Sequence, residues 1–473
     1  MLKRLLSFVM LLILVLSFSL TGTMEGTTNS EMNVDVVVVG SGGAGLSAAV
    51  EASKAGAKTL VIEKLGIMGG NTSICSGNIY AANSETQKEM GLTESGTAEE
   101  LTEFFVKQGD GDKHVNREFI SFISERSGEA VDWLVKDIGV SLAHRSPTSS
   151  HRSLISESSG VGIVNALAKR ATEQGTEILL NTAATKLIVK DGVVQGVEAV
   201  SKGSKLIINA KKVILATGGY DGQDESKAKY APGSVGHHTY SAVGNVGDAI
   251  EMVKAVNGKI LLKGGLSGIH LVNAGPLNSP VAPLRMIKNC VAVTDLGYRY
   301  ANESMTSAFD YYNPMVRTGR KQFFNIVDST VENELLEMAV AEDAAYKADS
   351  IEELAIAAGI PAYTLMTTID EYNELCKAGT DTVFGKNAED LLPLVKAPFY
   401  AVKITPNTNG SFGGLVTNND AQVLDVNNKP IENLYAAGAV ANADMFYLRY
   451  PVSGSSVMMC LVMGRVAGQQ ATK

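Results

Sequence analysis

A strand that runs into a glycine-rich turn and then an alanine-rich helix constrains this chain more than any other feature it has. Val34-Asp-Val-Val-Val-Val39 reads as a buried strand, Gly40-Ser41-Gly42-Gly43-Ala44-Gly45 as the turn, and Leu46 to Ala55 as the helix. Gly40 permits the tight turn, Gly42 lets backbone N–H groups approach a pyrophosphate, and Gly45 lets helix and strand pack closely. The helix N-terminus adds partial positive charge. Gly56-Ala57-Lys58 ends the helix, and a second strand runs Thr59-Leu-Val-Ile-Glu63. Glu63 falls where an acid takes the ribose hydroxyls of an adenosine, with Lys64 beside it. A glycine turn alone is a weak signal, but strand, turn, helix, strand and acid in this order predict an α/β fold with a Rossmann-like dinucleotide domain.

The same turn serves NAD and FAD, and the residues that follow choose between them. Gly69-Gly70-Asn71-Thr72 and Ser76-Gly77 place small residues where a flavin and its phosphates would lie. A buried strand, Lys212 to Ala216, ends in Thr217-Gly218-Gly219, and Leu434-Tyr-Ala-Ala-Gly438-Ala439 forms a late strand and turn. The candidate FAD contacts are therefore Gly40, Gly42, Gly43, Ala44, Gly45, Glu63, Lys64, Gly70, Asn71, Thr72, Gly77, Ala184, Thr217, Gly218, Gly438, Ala439, Gly454 and Ser455.

A length of 473 residues favours two domains. Lys3 and Arg4 precede an apolar run from Leu5 to Leu16, so residues 1–23 read as a secretory signal or, if uncleaved, a membrane anchor. Residues 24–33 are polar and read as a linker. Residues 34–238 form the first part of the FAD-binding domain, with helical periodicity from about 96 to 140 and over 158–175. Short strands follow, with a hairpin turn at Asp191-Gly192. Residues 239–408 lose the parallel-sheet rhythm and read as an inserted α+β capping domain, and 409–473 return to the FAD domain, closing with a helix from Ser456 to Ala471. The net charge of −9, with no Lys/Arg cluster, argues against nucleic acid. Cys75, Cys290, Cys376 and Cys460 lie far apart, which supplies no ligand set for a covalent haem or a structural metal.

Taken together, these segments resemble the fumarate reductase/succinate dehydrogenase flavoprotein superfamily, in its soluble, exported, flavocytochrome c-like branch. The resemblance covers nearly all of residues 34–472, through Val131-Asp-Trp-Leu134, Gly244-Asn-Val-Gly-Asp248, Asn302-Glu303, Gly413-Gly414-Leu415 and Gly464-Arg-Val-Ala-Gly468. It implies an active site between the two domains and hydride transfer from flavin to an activated double bond, with a side chain protonating the neighbouring carbon. In membrane-bound members a His before the Gly-Gly pair tethers FAD covalently. Ile67-Met68 stand there instead, which implies non-covalent FAD.

By the same resemblance, Arg449 falls near the family's carboxylate-binding Arg, a role that a planar guanidinium fork suits. A clamping His falls near His270, and Arg285 lies close to a further Arg of that site. The second His falls on Asn409, the proton-donating Arg on Ser307 and its activating Glu near Pro283. These departures point away from fumarate and toward a substrate with one carboxylate. Tyr311, Tyr312, Asp310 and Tyr240 are candidates for the proton donor, and His237-His238 for covering the FAD or a domain junction. The Gly454-Ser455 helix start would face the flavin N1/O2 edge. With no haem motif and no second nucleotide fingerprint, electrons are expected from a separate carrier, a cytochrome or a flavinylated protein, as in anaerobic respiration. Two other readings stay open: a dehydrogenase of the ketosteroid type, and a non-catalytic electron-transfer flavoprotein.

Overall fold

The computed structural model describes residues 30–109, 113–331 and 333–473, so the leader read at 1–23 and the linker up to residue 29 lie outside the described residues. Strand β1 (Ser30–Val39) lies between β2 (Thr59–Ile62) and a later strand, Ser204–Leu215. Its ladder with that later strand is parallel and starts at Ser30 opposite Leu206. Ser30–Asn33, read as the end of the linker, are therefore the first rungs of the sheet. Beyond β2 lies β3 (Glu177–Leu179), also parallel. The segments Leu206–Asn209 and Lys212–Ala216, read as two strands, form one strand, β4 (Ser204–Leu215), because no turn residue interrupts them. A hairpin, Thr182–Lys190 with Val193–Ser201, pairs with the first half of β4 and completes this side of the eight-stranded sheet.

Helix α1 (Gly43–Lys54) lies against this sheet with Gly43 to Ser53 buried. Its small side chains permit that depth. A Cβ on Gly45 would stand 2.0 Å from the Gly40 carbonyl oxygen, so β1 and α1 approach more closely than any larger residue allows. Helix α2 (Gly70–Ile74) follows the second glycine pair. The chain's closing helix (Ser455–Gln470) packs on the opposite side of α1. Cβ atoms on its Gly464 and Gly468 would each come within 2.3 Å of α1 carbonyl oxygens, those of Ala44 and Ala48. Arg465 and Gln469 then donate to the carboxylate of Glu51, which is buried on α1.

The capping domain is built on a six-stranded sheet. Its boundaries differ from those at 239 and 408. Helix α3 (Asp248–Lys254) places Ala249, Met252 and Val253 in the core of the flavin domain. The chain leaves along β5 (Ile260–Val272) and returns along β6 (Phe399–Leu415). These two strands pair antiparallel, from Ile260 opposite Leu415 at the flavin-domain end to Val272 opposite Ile404 at the cap end. Position 408 thus lies inside a strand, and the border is the ribbon itself. Register shifts between Leu261 and Gly265 and between Ser267 and Gly268, with Gly265 at φ +98°, mark where the ribbon bends. Strand β7 (Pro430–Ala436) then rejoins β4 in parallel. In the cap, Arg299 spans Glu303 and Asp381 at 2.6 and 2.7 Å, with all three side chains buried, so Glu303 of the Asn-Glu pair is architectural.

Gly45→Ala is expected to cost about 1–3 kcal/mol of stability through overpacking, and to lower flavin content with it. Calorimetry of the variant would check this, and an unchanged melting temperature would show that the turn has room to spare.

Candidate active site

The glycine turn, the ends of β2 and β4 and the start of α2 surround an open cleft of about 830 Å³. Gly40, Gly42, Gly43, Ala44, Glu63, Lys64, Gly70, Asn71, Thr72, Ala184, Thr217, Gly218 and Ala439, expected from sequence to contact FAD, line it. Gly45, Gly77, Gly438, Gly454 and Ser455 are not among its lining residues. Gly45 serves the β1–α1 approach. Gly77 at φ +81° would set a Cβ 2.7 Å from the Ser159 backbone, and Gly454 at φ +103° would do so against Ile79. Gly438 at φ +82° lies against Ala44. The positive φ and close backbone approach of Gly77, Gly438 and Gly454 serve packing around the cleft.

The cleft's chemistry suits a dinucleotide. Helix α1 has no N-cap side-chain bond and no acid in its first turn; Gly43 N–H donates to Thr72 Oγ1 at 3.1 Å, which leaves the N–H groups after it and the positive dipole end for phosphate. Glu63 accepts from the Ser41 N–H and hydroxyl on Oε2, at 3.1 and 2.8 Å, and from the Leu65 N–H on Oε1 at 2.9 Å, which leaves one lone pair on Oε1 for a ribose hydroxyl. Thr217 Oγ1 is buried at the cleft with no partner, an orphan that a bound flavin would satisfy. Asn71 is a hub: its Oδ1 accepts from Ala242 N–H at 2.7 Å and Asn245 Nδ2 at 2.9 Å, and its Nδ2 donates to Ser241. Lys64 pairs with Asp248 of α3 across the mouth. Ala242, Asn245 and Asp248, assigned from sequence to the cap, therefore belong to the cofactor site. At the position of the family's tethering His, Ile67 is 70% exposed and offers no nucleophile.

The five candidate catalytic residues converge around helix α4 (Ala308–Thr318) of the cap. His270 of β5 is buried, bonds through Nε2 to the Arg285 carbonyl at 2.6 Å, and packs its ring on Tyr311 with centroids 4.4 Å apart. Burial lowers His270 to about 4, so its imidazole is neutral at physiological pH. The Arg285 guanidinium is half-buried, with Nη1 lacking a partner and no carboxylate upon it among the described residues. Burial pushes its pKa below the ordinary value.

Two of the five take other roles. Ser307 is the N-cap of α4 and accepts from Phe309 N–H, so it holds the helix end. The Tyr311 hydroxyl donates to the Glu303 carbonyl at 3.0 Å, and burial raises its pKa well above the ordinary range, which leaves its ring as its contribution to the site. Tyr312 is likewise turned inward, to His237 Nδ1 and Ser234, each at 3.0 Å. His237 is buried and His238 exposed, as adjacent strand residues should be.

Arg449 lies at the junction but is engaged. Its Nε stands 2.7 Å from Asp310 Oδ1 and its Nη2 donates to Oδ2 at 3.0 Å. Residues on either side of Asp310 grip the same loop: Phe309 packs on Tyr450 with centroids 5.1 Å apart, and Asn313 donates to the Leu448 carbonyl. One functional group escaped the sequence reading. The Tyr450 hydroxyl accepts from Ser456 N–H at 3.0 Å, in the first turn of the closing helix α5 (Ser455–Gln470). Burial raises the Tyr450 pKa above the ordinary phenol value, and the hydrogen bond from Ser456 at the helix N-terminus works against that rise. Its place directly after Arg449 was the available signal.

The cleft and the junction beside it define a FAD-dependent oxidoreductase. The FAD binding domain family model matches residues 35–457. A probable fumarate reductase, Ifc3, from Shewanella frigidimarina is 30% identical over 93% of this chain and 74% of its own length. A urocanate reductase from Eggerthella lenta is 30% identical over 94% of this chain and 75% of its own. Among solved structures, the open conformation of a flavocytochrome c3 fumarate reductase superposes with a TM-score of 0.73 at 28% identity, over 94% of this chain and 79% of that one. The chain belongs to the fumarate reductase/succinate dehydrogenase flavoprotein superfamily, in its soluble flavocytochrome c-like branch.

His237 and His270 both lie at about 4 in the fold against an ordinary 6.5. Between those values the unfolded chain takes up protons that the folded chain refuses, so stability falls as pH drops through that window. His270→Gln is expected to flatten the fall of melting temperature between pH 6.5 and 4 relative to the parent. An unchanged slope would mean that His270 protonates without cost in the fold.

Proposed function

We propose that this enzyme reduces the activated carbon–carbon double bond of a small unsaturated monocarboxylate, using electrons delivered by a separate carrier protein. The observation that carries this reading is the charge balance of the junction: Arg449 is neutralised by Asp310, His270 is neutral, and the half-buried Arg285, with Nη1 unpartnered, has no carboxylate upon it among the described residues. One carboxylate on Arg285 satisfies that group, and the guanidinium fork fixes the substrate's plane. The relatives named for fumarate and urocanate reduction support the reaction type, and urocanate carries a single carboxylate.

FAD, when bound, supplies the hydride. The protein's part is to orient the alkene, exclude water with the cap, and give the neighbouring carbon a proton. Tyr450 is the phenol suited to that delivery, because Ser456 N–H and the N-terminus of α5 stabilise the phenolate left behind. Supply of electrons by a cytochrome or a flavinylated protein, and export through the segment 1–23, complete the reading as an extracytoplasmic terminal reductase. Among the described residues no helix is long and apolar enough to cross a membrane.

The test is anaerobic reoxidation of a viologen dye by the holoenzyme with acrylates, cinnamates, urocanate and fumarate. Arg285→Gln is expected to raise KM for a monocarboxylate about tenfold or more, the loss of a charge-assisted hydrogen bond, with flavin content unchanged. Tyr450→Phe is expected to lower kcat about 100-fold with little change in KM, the scale of a lost general acid. Wild-type turnover that both variants preserve would remove these residues from the mechanism. A flavin that cycles with dye while no alkenoate reoxidises it would move the assignment to the dehydrogenase or electron-carrier reading.

A further inference from the structure

We infer that Asp310 is a specificity-determining residue: it occupies the Arg449 guanidinium as an internal carboxylate and so excludes substrates that bring a second carboxylate of their own. This deepens the monocarboxylate reading above and rests on it. Three observations carry it.

The first is geometric. Asp310 neutralises Arg449 through one hydrogen bond, from Nη2 to Oδ2 at 3.0 Å, while Oδ1 stands 2.7 Å from Nε without accepting from it. The second is placement. Asp310 stands in the first turn of α4, next to Tyr311, whose ring packs on His270, while Arg449 belongs to the flavin-domain loop that leads into α5. The ion pair therefore spans the two domains at the junction where the cap meets the flavin domain. The third is that the pair is accessible. The side chains are 40% and 22% exposed, so a competing anion can reach the guanidinium once the aspartate is gone.

Local helix chemistry does not by itself require the acid. An aspartate in a first turn favours the helix dipole, but Ser307 already caps α4. The neighbouring contacts of Phe309 with Tyr450 and of Asn313 with Leu448 hold the loop without it. Removing the Asp310 charge should thus leave the loop in place and add one unpaired cation to a site that already offers Arg285.

The experiment uses the holoenzyme, Asp310→Asn, Asp310→Ser and the double variant Asp310→Asn/Arg449→Gln. Two quantities are read: the ratio of kcat/KM for fumarate to that for a monocarboxylate, and the binding of succinate to the oxidised flavoprotein, followed by flavin absorbance. The expected result is a rise of about tenfold or more in both for the single variants, the scale of one charge-assisted hydrogen bond, and its loss in the double variant. Unchanged ratios and unchanged succinate affinity in both single variants would overturn the inference. So would an equal gain in the double variant, which would trace the effect to loosening of the cap. Should the wild type reduce no alkenoate at all, the monocarboxylate reading fails, and the succinate titration still decides the role of Asp310.

Discussion

Everything in this fold hangs on helix α1 being approached on two sides by other backbone. On one side Gly40 and Gly45 bring it onto β1, and on the other Gly464 and Gly468 bring the closing helix within touching distance of its carbonyl oxygens. Backbone contacts this close tolerate no added methyl, and interiors at crystal-like density have no slack elsewhere to absorb one. The consequence is positional. With α1 fixed in depth, its N-terminus, the end of β2 with Glu63, and the start of α5 are fixed relative to one another, and the cofactor cleft is the space they leave.

The junction shows a different economy, one of charge. A domain interface with two arginines and a histidine suggests a strongly positive site. Burial removes the histidine's charge and Asp310 cancels one arginine. Of the two arginines, Arg285 is the one without a carboxylate upon it among the described residues. Charge of this kind is set by partners, and partners are contributed by different domains, so the cap takes part in choosing what the flavin domain can reduce.

The sequence was most legible where function depends on local backbone. The glycine turn, Glu63 and Thr217-Gly218 could be read because each states its requirement within a few residues. Legibility failed where a residue's role depends on a distant partner. Arg449 and Asp310 are 139 residues apart in the chain, so the arginine read as free. Ser307 and Tyr311 carry the residue types of a proton donor, yet one is spent on capping a helix and the other on a carbonyl. The cap boundary was misplaced for a related reason. Residues 240–258 have no parallel-sheet rhythm because they are a loop and a helix folded over the cofactor, and their allegiance appears only through Asn71 and the flavin-domain core. Glycines such as Gly77 and Gly454 share a conformation with phosphate-binding glycines, and sequence alone does not separate the two uses.

The bent ribbon of β5 and β6 has a bearing on how such enzymes diversify. The outgoing and returning strands are hydrogen-bonded to each other as a two-ply ribbon between the domains, and the flavin domain's main core contains no residue between Val272 and Ile404. The parts of the insert away from α4 can therefore be lengthened or repacked while Phe309, Asp310 and Asn313 keep their hold on the loop of Leu448 to Tyr450. Natural selection can revise the substrate on one side of the ribbon without renegotiating the electron chemistry on the other.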